Sequence, residues 1–372
     1  MRSKRLLALF LSALLVMSAL PVLAFADEDT SGPDAAETEV TPGADGSFSI
    51  LDFNIAGLPS FSDSKAKKAK QKLLGQSVAA DGYDIVCVQE CFDYDDDFSG
   101  GLNYAYRTSS PKSCVFGDGL AVFSKTQIYN VSHYKWNKVG GQMWEGDSMS
   151  QKGVMKSVVE IASGVYINVY VLHADAYGGR SSQEARADNF RQTAELINAD
   201  TSGRATIVVG DFNSAFHFSN DVENMYTQLL EPCGLKDAWV ELENGGSYTD
   251  FSAYSGDYWG NWDSVEHVLY KDGDNVTLNP VEHEYIVYVD DNGKAISDHS
   301  AEKAVFEYTV ASVETNAALT KAPKTSYVNV FKAISIIAKD LSYAFSHWDE
   351  VKVLIQYLKD GDIQYLYDNY SV

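Results

Sequence analysis

Basic residues are scarce in this chain. Its 372 residues include 29 Lys and Arg against 52 Asp and Glu, a net charge of −23 at pH 7. A non-specific duplex-DNA binder shows a basic face, and no long basic stretch is present. Lys65, Lys67, Lys68, Lys70 and Lys72 form the one cluster, and they read as the solvated face of a single helix. Cysteine is scarce too. Four in a chain of this length exclude a disulfide scaffold. No Cys-x-x-Cys pair and no His/Cys cluster points to zinc. Cys87, inside Ile85-Val86-Cys87-Val88, reads as a buried thiol, and the sequence leaves open whether Cys91 and Cys114 pair. The acids of Asp93-Tyr94-Asp95-Asp96-Asp97 lack the spacing of an EF-hand, and with Gly100-Gly101 they read as a solvated loop.

What is present begins at the N-terminus. Arg2, Lys4 and Arg5 precede an apolar run from Leu6 to Leu20, and Ala24-Phe25-Ala26 supplies small residues at a cleavage site. This pattern predicts a secretory signal over residues 1–26, cut after Ala26, and a secreted or cell-surface protein. A retained anchor is the alternative, against which the run is short for a span. Losing those three basic residues takes the net charge from −23 to −26. Such a surface repels polyanions at long range. Residues 27–46, rich in Asp, Glu, Thr, Pro and Gly, read as an acidic linker. Residues 47–310 read as the main globular domain.

Within that domain, apolar runs recur and most end in a polar residue. The strand from Ser47 ends at Asn54, and the strand Asp84–Gln89 is followed by Glu90. Val154–Ile161 and Tyr166–Leu172 read as a pair across Ser163-Gly164, with His173 after the second. Ala205–Val209 leads to Gly210-Asp211-Phe212-Asn213. Asp263 precedes the strand Val265–Tyr270, and Asp298-His299 precedes the strand Lys303–Tyr308. Helices are expected over Lys65–Ala80, Ser181–Ala199 and Asn220–Leu230. Trp136 to Lys152 reads as a loop whose exposed aromatics, Trp136 and Trp144, contact a lipid surface or substrate, or cover the core. Many strand pairs with interspersed helices make an α/β two-sheet sandwich with helices outside. Residues 311–372 form a helical extension: Tyr327, Phe331, Ile334, Ala338, Leu341, Phe345 and Trp348 mark one amphipathic face, docked on the main domain or presented to a membrane or partner.

Asn54, Glu90, His173, Asp211, Asn213, Asp263, Asp298 and His299 form one candidate set at strand ends. Acids and amides suit a hard divalent cation and a phosphate, and two histidines can move protons or offset developing charge. The runs Leu51-Asp52-Phe53-Asn54-Ile55-Ala56-Gly57-Leu58-Pro59, Val88-Gln89-Glu90, Leu172-His173-Ala174-Asp175, Gly210-Asp211-Phe212-Asn213, Trp262-Asp263-Ser264-Val265 and Ser297-Asp298-His299 together resemble the endonuclease/exonuclease/phosphatase superfamily. That group includes deoxyribonucleases, apurinic endonucleases, inositol-polyphosphate phosphatases and bacterial sphingomyelinases.

The resemblance covers roughly residues 47–309. It implies a four-layer α/β sandwich, with two mostly antiparallel central sheets, and Mg2+-dependent phosphoester cleavage, with Mn2+ or Ca2+ as substitutes. It implies that Glu90 and Asn54 hold the metal with Asp298 close by. Asp211 then positions or deprotonates the attacking water, and Asn213 holds a phosphate oxygen. His299, oriented by Asp263, is a general base or phosphate contact, and His173 stabilises transition-state charge. His173 has no evident partner in the sequence beyond Asp118, a weak candidate, and Asp175 reads as a loop-stabilising residue.

The reading for substrate is a secreted, sphingomyelinase-like phosphodiesterase that acts on a phospholipid head group or another small phosphodiester, as a monomer with membrane-surface contact. A secreted nuclease is the alternative enzyme, disfavoured by charge. A surface binding protein with an inactive site is the alternative of another class.

Overall fold

The computed structural model describes residues 45–58, 64–92, 95–108, 117–140, 151–215, 223–248, 264–314 and 319–322. The signal segment, residues 27–44 of the linker, Cys114, Trp144, Asp263 and the amphipathic face beyond residue 322 lie outside the described residues.

Two six-stranded sheets carry the fold. The first, in spatial order β11-β12-β1-β2-β4-β3, is built from Val276–Ile286, Ala301–Val310, Gly46–Asn54, Ile85–Gln89, Ala121–Ser124 and Tyr106–Arg107. The second, β5-β6-β7-β8-β10-β9, is built from Ile128–Lys135, Gly153–Ala162, Val165–His173, Thr206–Asp211, Glu266–Lys271 and Lys236–Asp237. The strands are apolar on both faces because both faces are covered. Ile50, Cys87, Val171 and Val209 fill the core between the sheets. Leu51, Phe53, Val86 and Val88 face outward onto helices α1, Ser64–Asp81, and α2, Asp95–Leu102. Leu172, Val208 and Leu269 face the opposite outer layer, with Phe190 of α3, Arg180–Asn198, and Trp239 of α4, Ala238–Glu243. The expected sandwich with helices outside is the observed architecture.

Each sheet contains one parallel pair, and those pairs place the site. β1 and β2 run parallel with Asn54 opposite Gln89. β7 and β8 run parallel with His173 opposite Asp211. Parallel neighbours end on the same side, so polar residues at their carboxyl ends gather there, where open α/β sheets hold ligands.

Several elements depart from the sequence expectation, among them α2, β5 and β11. The stretch read as an acidic loop is helix α2. Its acids sit in the first turn, where the helix dipole favours negative charge. Its glycines permit close packing rather than breaking the chain: a Cβ on Gly101 would lie 2.3 Å from the Lys72 carbonyl oxygen, and one on Gly75 would lie 2.2 Å from that of Phe98. β5 and β11 were not expected. Both are edge strands with one polar, solvated face, and β11 is interrupted by a bulge at Pro280/Glu282, so neither shows a continuous apolar run.

The described part of the C-terminal extension is docked. Glu314 donates its N–H to the Gly164 carbonyl and pairs through its carboxylate with Arg204. Asn130 donates to the Thr320 carbonyl and Ala322 to that of Ile128, which covers the edge of β5. Cys87 and Cys233 are buried thiols.

The α1–α2 contact gives a paired prediction. Gly101→Ala lowers the unfolding free energy by about 2 kcal/mol through overpacking against the Lys72 carbonyl. Gly100→Ala, whose Cβ meets open space, is neutral or stabilising by about 0.5 kcal/mol. Chemical denaturation of the two variants measures both.

Candidate active site

Asp211 closes β8 and is 1% exposed. Its Oδ2 accepts from Asn54 Nδ2 at 3.0 Å, across the gap between the sheets, and lies 3.2 Å from His173 Nε2. Its Oδ1 accepts from the Asn213 backbone N–H at 2.9 Å. Burial pushes this carboxyl up, but the His173 charge and hydrogen bond, with His299 and Lys152 beyond, outweigh it and hold the group well below the usual carboxylate range. Asp211 is therefore ionised. Asn54 also donates to Glu90 Oε1 at 3.3 Å, so one amide joins two carboxylates. Asn213 donates from Nδ2 to the Ala174 carbonyl.

Backbone strain marks the same residues. Ala56, Glu90 and Asn213 have φ of 49°, 55° and 48°, in the left-handed region that non-glycine residues rarely occupy. Such conformations persist where surrounding contacts over-determine them, and they gather at functional sites.

His299 is oriented by a residue that the sequence reading did not select. Its Nδ1 lies 2.5 Å from Glu266 Oε1, and Ser264 donates to the other oxygen of that carboxylate. Burial pulls the imidazole down, but the Glu266 charge and hydrogen bond, with Asp211 and Asp298, push it up to about 10. Among the described residues Glu266 orients His299; Asp263, given that role in the sequence reading, lies outside them. Glu266 was passed over because it sits inside a strand, among apolar neighbours. The signal that finds it is the burial cost itself, since a carboxylate on a fully buried strand needs a partner.

The other candidates are placed as follows. Glu90 is half-buried beside Asn54. Asp298 is exposed at the rim, with no hydrogen bond to Asn54 or Glu90 among the described residues. Asp118 does not reach His173; its Oδ2 meets His133 Nδ1. Asp175 is a loop anchor, as expected: its Oδ2 accepts from Gly140 N–H. Of the two readings for Trp136, surface contact or cover for the core, the structure shows the second: it is 4% exposed. Its indole N–H donates to the His173 carbonyl at 2.7 Å and so fixes the end of β7.

One layer beneath lies a set of buried acids. Asp52 and Glu302 are register partners, fully buried, and both are pushed well above the usual carboxylate range, chiefly by burial. His283 Nε2 lies 2.9 Å from Glu302 Oε1 and is held down at about 4, mainly by burial. Both partners are therefore neutral, with the Glu302 acid donating to the imidazole.

Two cavities, of about 300 and 140 Å3, lie elsewhere. Their lining includes Lys271 and Asp272, at the end of β10 opposite Glu266, so neither is the site.

A family model described as "Endonuclease/Exonuclease/phosphatase family" matches residues 53–299, about two thirds of the chain. The chain belongs to that family. A sphingomyelinase of Mycobacterium tuberculosis is 29% identical over 281 residues, 72% of this chain and 54% of the relative. The chain therefore spans about half the length of that relative. An inositol phosphosphingolipids phospholipase C of Schizosaccharomyces pombe is 30% identical over 174 residues, 44% of this chain and 40% of the relative. Among solved structures, a beta toxin variant of Staphylococcus aureus with bound magnesium ions matches with a TM-score of 0.51 at 16% identity, over 70% of this chain and 99% of that one. This last likeness shows the endonuclease/exonuclease/phosphatase fold.

Two outcomes follow from the site's geometry. Glu266→Gln removes the charge that holds up His299, and the imidazole's midpoint is expected to fall from about 10 toward its ordinary value, read by NMR titration. His283, with a folded pKa of about 4 below its unfolded value, contributes stability that is present above about pH 6.5 and lost as pH falls through about 4. NMR titration of the imidazole is expected to show a midpoint near 4, and a midpoint near 6.5 would contradict the buried neutral pair.

Proposed function

We propose that this chain is a secreted, metal-dependent phosphodiesterase that hydrolyses phospholipid head-group diesters of the sphingomyelin type. The observation that carries the reading is the convergence of an ionised Asp211, Asn54, Glu90, His173 and a His299–Glu266 pair at one end of the sandwich.

In this reading Asp211, held ionised by its neighbours, orients the attacking water, whose proton leaves to solvent. Asn213 supplies an amide to a non-bridging phosphate oxygen. His299, held as an imidazolium by Glu266, places positive charge where charge grows on the phosphoryl oxygens. His173, whose Nε2 lies against Asp211 Oδ2, holds that carboxylate in place from the β7 side. Each donor is fixed before substrate arrives, which limits reorganisation during reaction.

The donor set fits a hard divalent cation such as Mg2+. Glu90 is half-buried, hydrogen-bonded only weakly by Asn54 at 3.3 Å, and lies next to a second carboxylate. Asp211, Glu266 and His299 also offer ligand atoms within 4.8 Å of one another. The short His299–Glu266 contact would have to break for a cation to enter there, so Glu90 with Asn54 is the favoured pair. When bound, the cation would polarise the phosphoryl group and lower the pKa of a bound water.

Several observations support a lipid over a nucleic acid. The mycobacterial and fission-yeast relatives carry sphingolipid-directed names. The net charge of −23 opposes a polyanion but not a zwitterionic head group. Leu58 and Val139, both near half exposed, stand near the site end and suit contact with a lipid surface.

The purified protein with Mg2+ is expected to release phosphocholine from sphingomyelin and to hydrolyse bis-p-nitrophenyl phosphate. Chelation of the metal or Glu90→Gln abolishes both. Plasmid nicking without phosphocholine release would overturn the lipid reading in favour of a nuclease. No turnover on any phosphodiester, with Glu90→Gln indistinguishable from wild type, would overturn the enzyme reading.

A further inference from the structure

Another buried histidine–carboxylate pair stands one residue beyond Glu266, and the chemistry proposed above does not use it. His267 is 1% exposed. Its Nδ1 lies 2.9 Å from Asp237 Oδ2, and its Nε2 lies 2.7 Å from the Ser214 carbonyl oxygen. An imidazole facing an oxygen acceptor at each nitrogen carries a proton on each. Asp237 is fully buried and has no freedom to move. Its Oδ1 accepts from Val240 N–H at the start of α4, its own N–H donates to the Tyr248 hydroxyl, and its strand pairs with β10 at Leu269. The ring of Phe212 meets His267 edge to face, with centroids 5.2 Å apart.

The contact with Ser214 has a consequence for the site. Ser214 follows Asn213, whose φ of 48° makes it the strained residue of this turn. Three contacts hold the turn: the Asn213 N–H to Asp211 Oδ1, the Asn213 amide to the Ala174 carbonyl, and the Ser214 carbonyl to His267. Ser214 is itself fully buried; among the described residues its hydroxyl has no partner, and its carbonyl is held by His267. Strand alternation divides the work on β10. Glu266 points between the sheets and orients His299, while His267 points to the outer face and holds the Asp211–Ser214 turn.

We propose that His267 and Asp237 are positioning residues for the phosphodiester cleavage: they lock the Asp211–Ser214 turn so that the Asn213 amide and the Asp211 carboxylate stay aimed at the reacting phosphate. The proposal rests on the phosphodiesterase reading. His267 acts through Asn213, since both of its nitrogens are occupied away from the reaction.

The test compares His267→Phe, His267→Gln, Asn213→Ala and the Asn213→Ala/His267→Phe double variant on bis-p-nitrophenyl phosphate with Mg2+. Amide hydrogen exchange across residues 211–215 is measured in parallel. His267→Phe is expected to lose about 100-fold in kcat with KM changed less than about threefold. His267→Gln, which keeps a donor for the Ser214 carbonyl, recovers about tenfold of that loss. Because the two residues act on one turn, His267→Phe adds less than about twofold to the loss in Asn213→Ala. Additive losses, or an unchanged kcat in His267→Phe, would overturn the proposal. If His267→Phe does not fold, Asp237→Asn takes its place, with a kcat loss of about tenfold expected and none contradicting the proposal. The exchange measurement needs no turnover: faster exchange at 211–215 is expected in the variant, and unchanged protection overturns the positioning role. A wild type inactive on every phosphodiester would instead defeat the hydrolase reading.

Discussion

The site depends on one buried anion. Asp211 is ionised between two sheets, where an unpaired carboxylate costs several kcal/mol. Its partners come from different parts of the fold: Asn54 from the first sheet, His173 from the neighbouring strand, and the backbone of Asn213 from the turn that follows. Satisfying this carboxylate therefore requires both sheets to be assembled in register. The same set of contacts that makes the fold tolerable makes the site. The geometry of the Asn54–Asp211 bond also fixes Glu90, since the Asn54 amide donates to both acids.

Support for this anion is organised in two shells on a single strand. Adjacent residues of β10 face opposite ways, so Glu266 reaches His299 between the sheets while His267 reaches Ser214 on the outer side. Trp136 performs a related task at the end of β7 by binding the His173 carbonyl. Reactive side chains at strand ends are thus each tied to a rigid element behind them. The left-handed backbone at Asn213 is held by the His267–Ser214 tie.

Much of this was legible in the residues. Asn54, Glu90, His173 and Asp211 were visible because each closes or follows an apolar run, and a polar group in that place is either capped or used. Other features were hidden by the physics that makes them work. Glu266 lies within its strand rather than at a flank, where a polar group stands out less in the sequence. A loop position left Trp136 open between surface contact and core cover, and only the structure shows its indole N–H buried against a strand end. Gly100-Gly101 read as a break because glycine weakens an isolated helix, but in α2 Gly101 lets two helix backbones touch. β5 and β11 escaped notice because an edge strand keeps one wet, polar face. Docking of residues 311–314 and 319–322 depends on contacts more than a hundred residues away, such as Arg204–Glu314, which periodicity does not encode.

The central claim is that these residues activate water against phosphorus. Hydrolysis in 18O-labelled water measures it directly, with the products of bis-p-nitrophenyl phosphate cleavage read by mass spectrometry. The account predicts that the label appears in the phosphoryl product and not in the released phenol. Label in the phenol, or a phosphoryl product that remains attached to the protein, would contradict it.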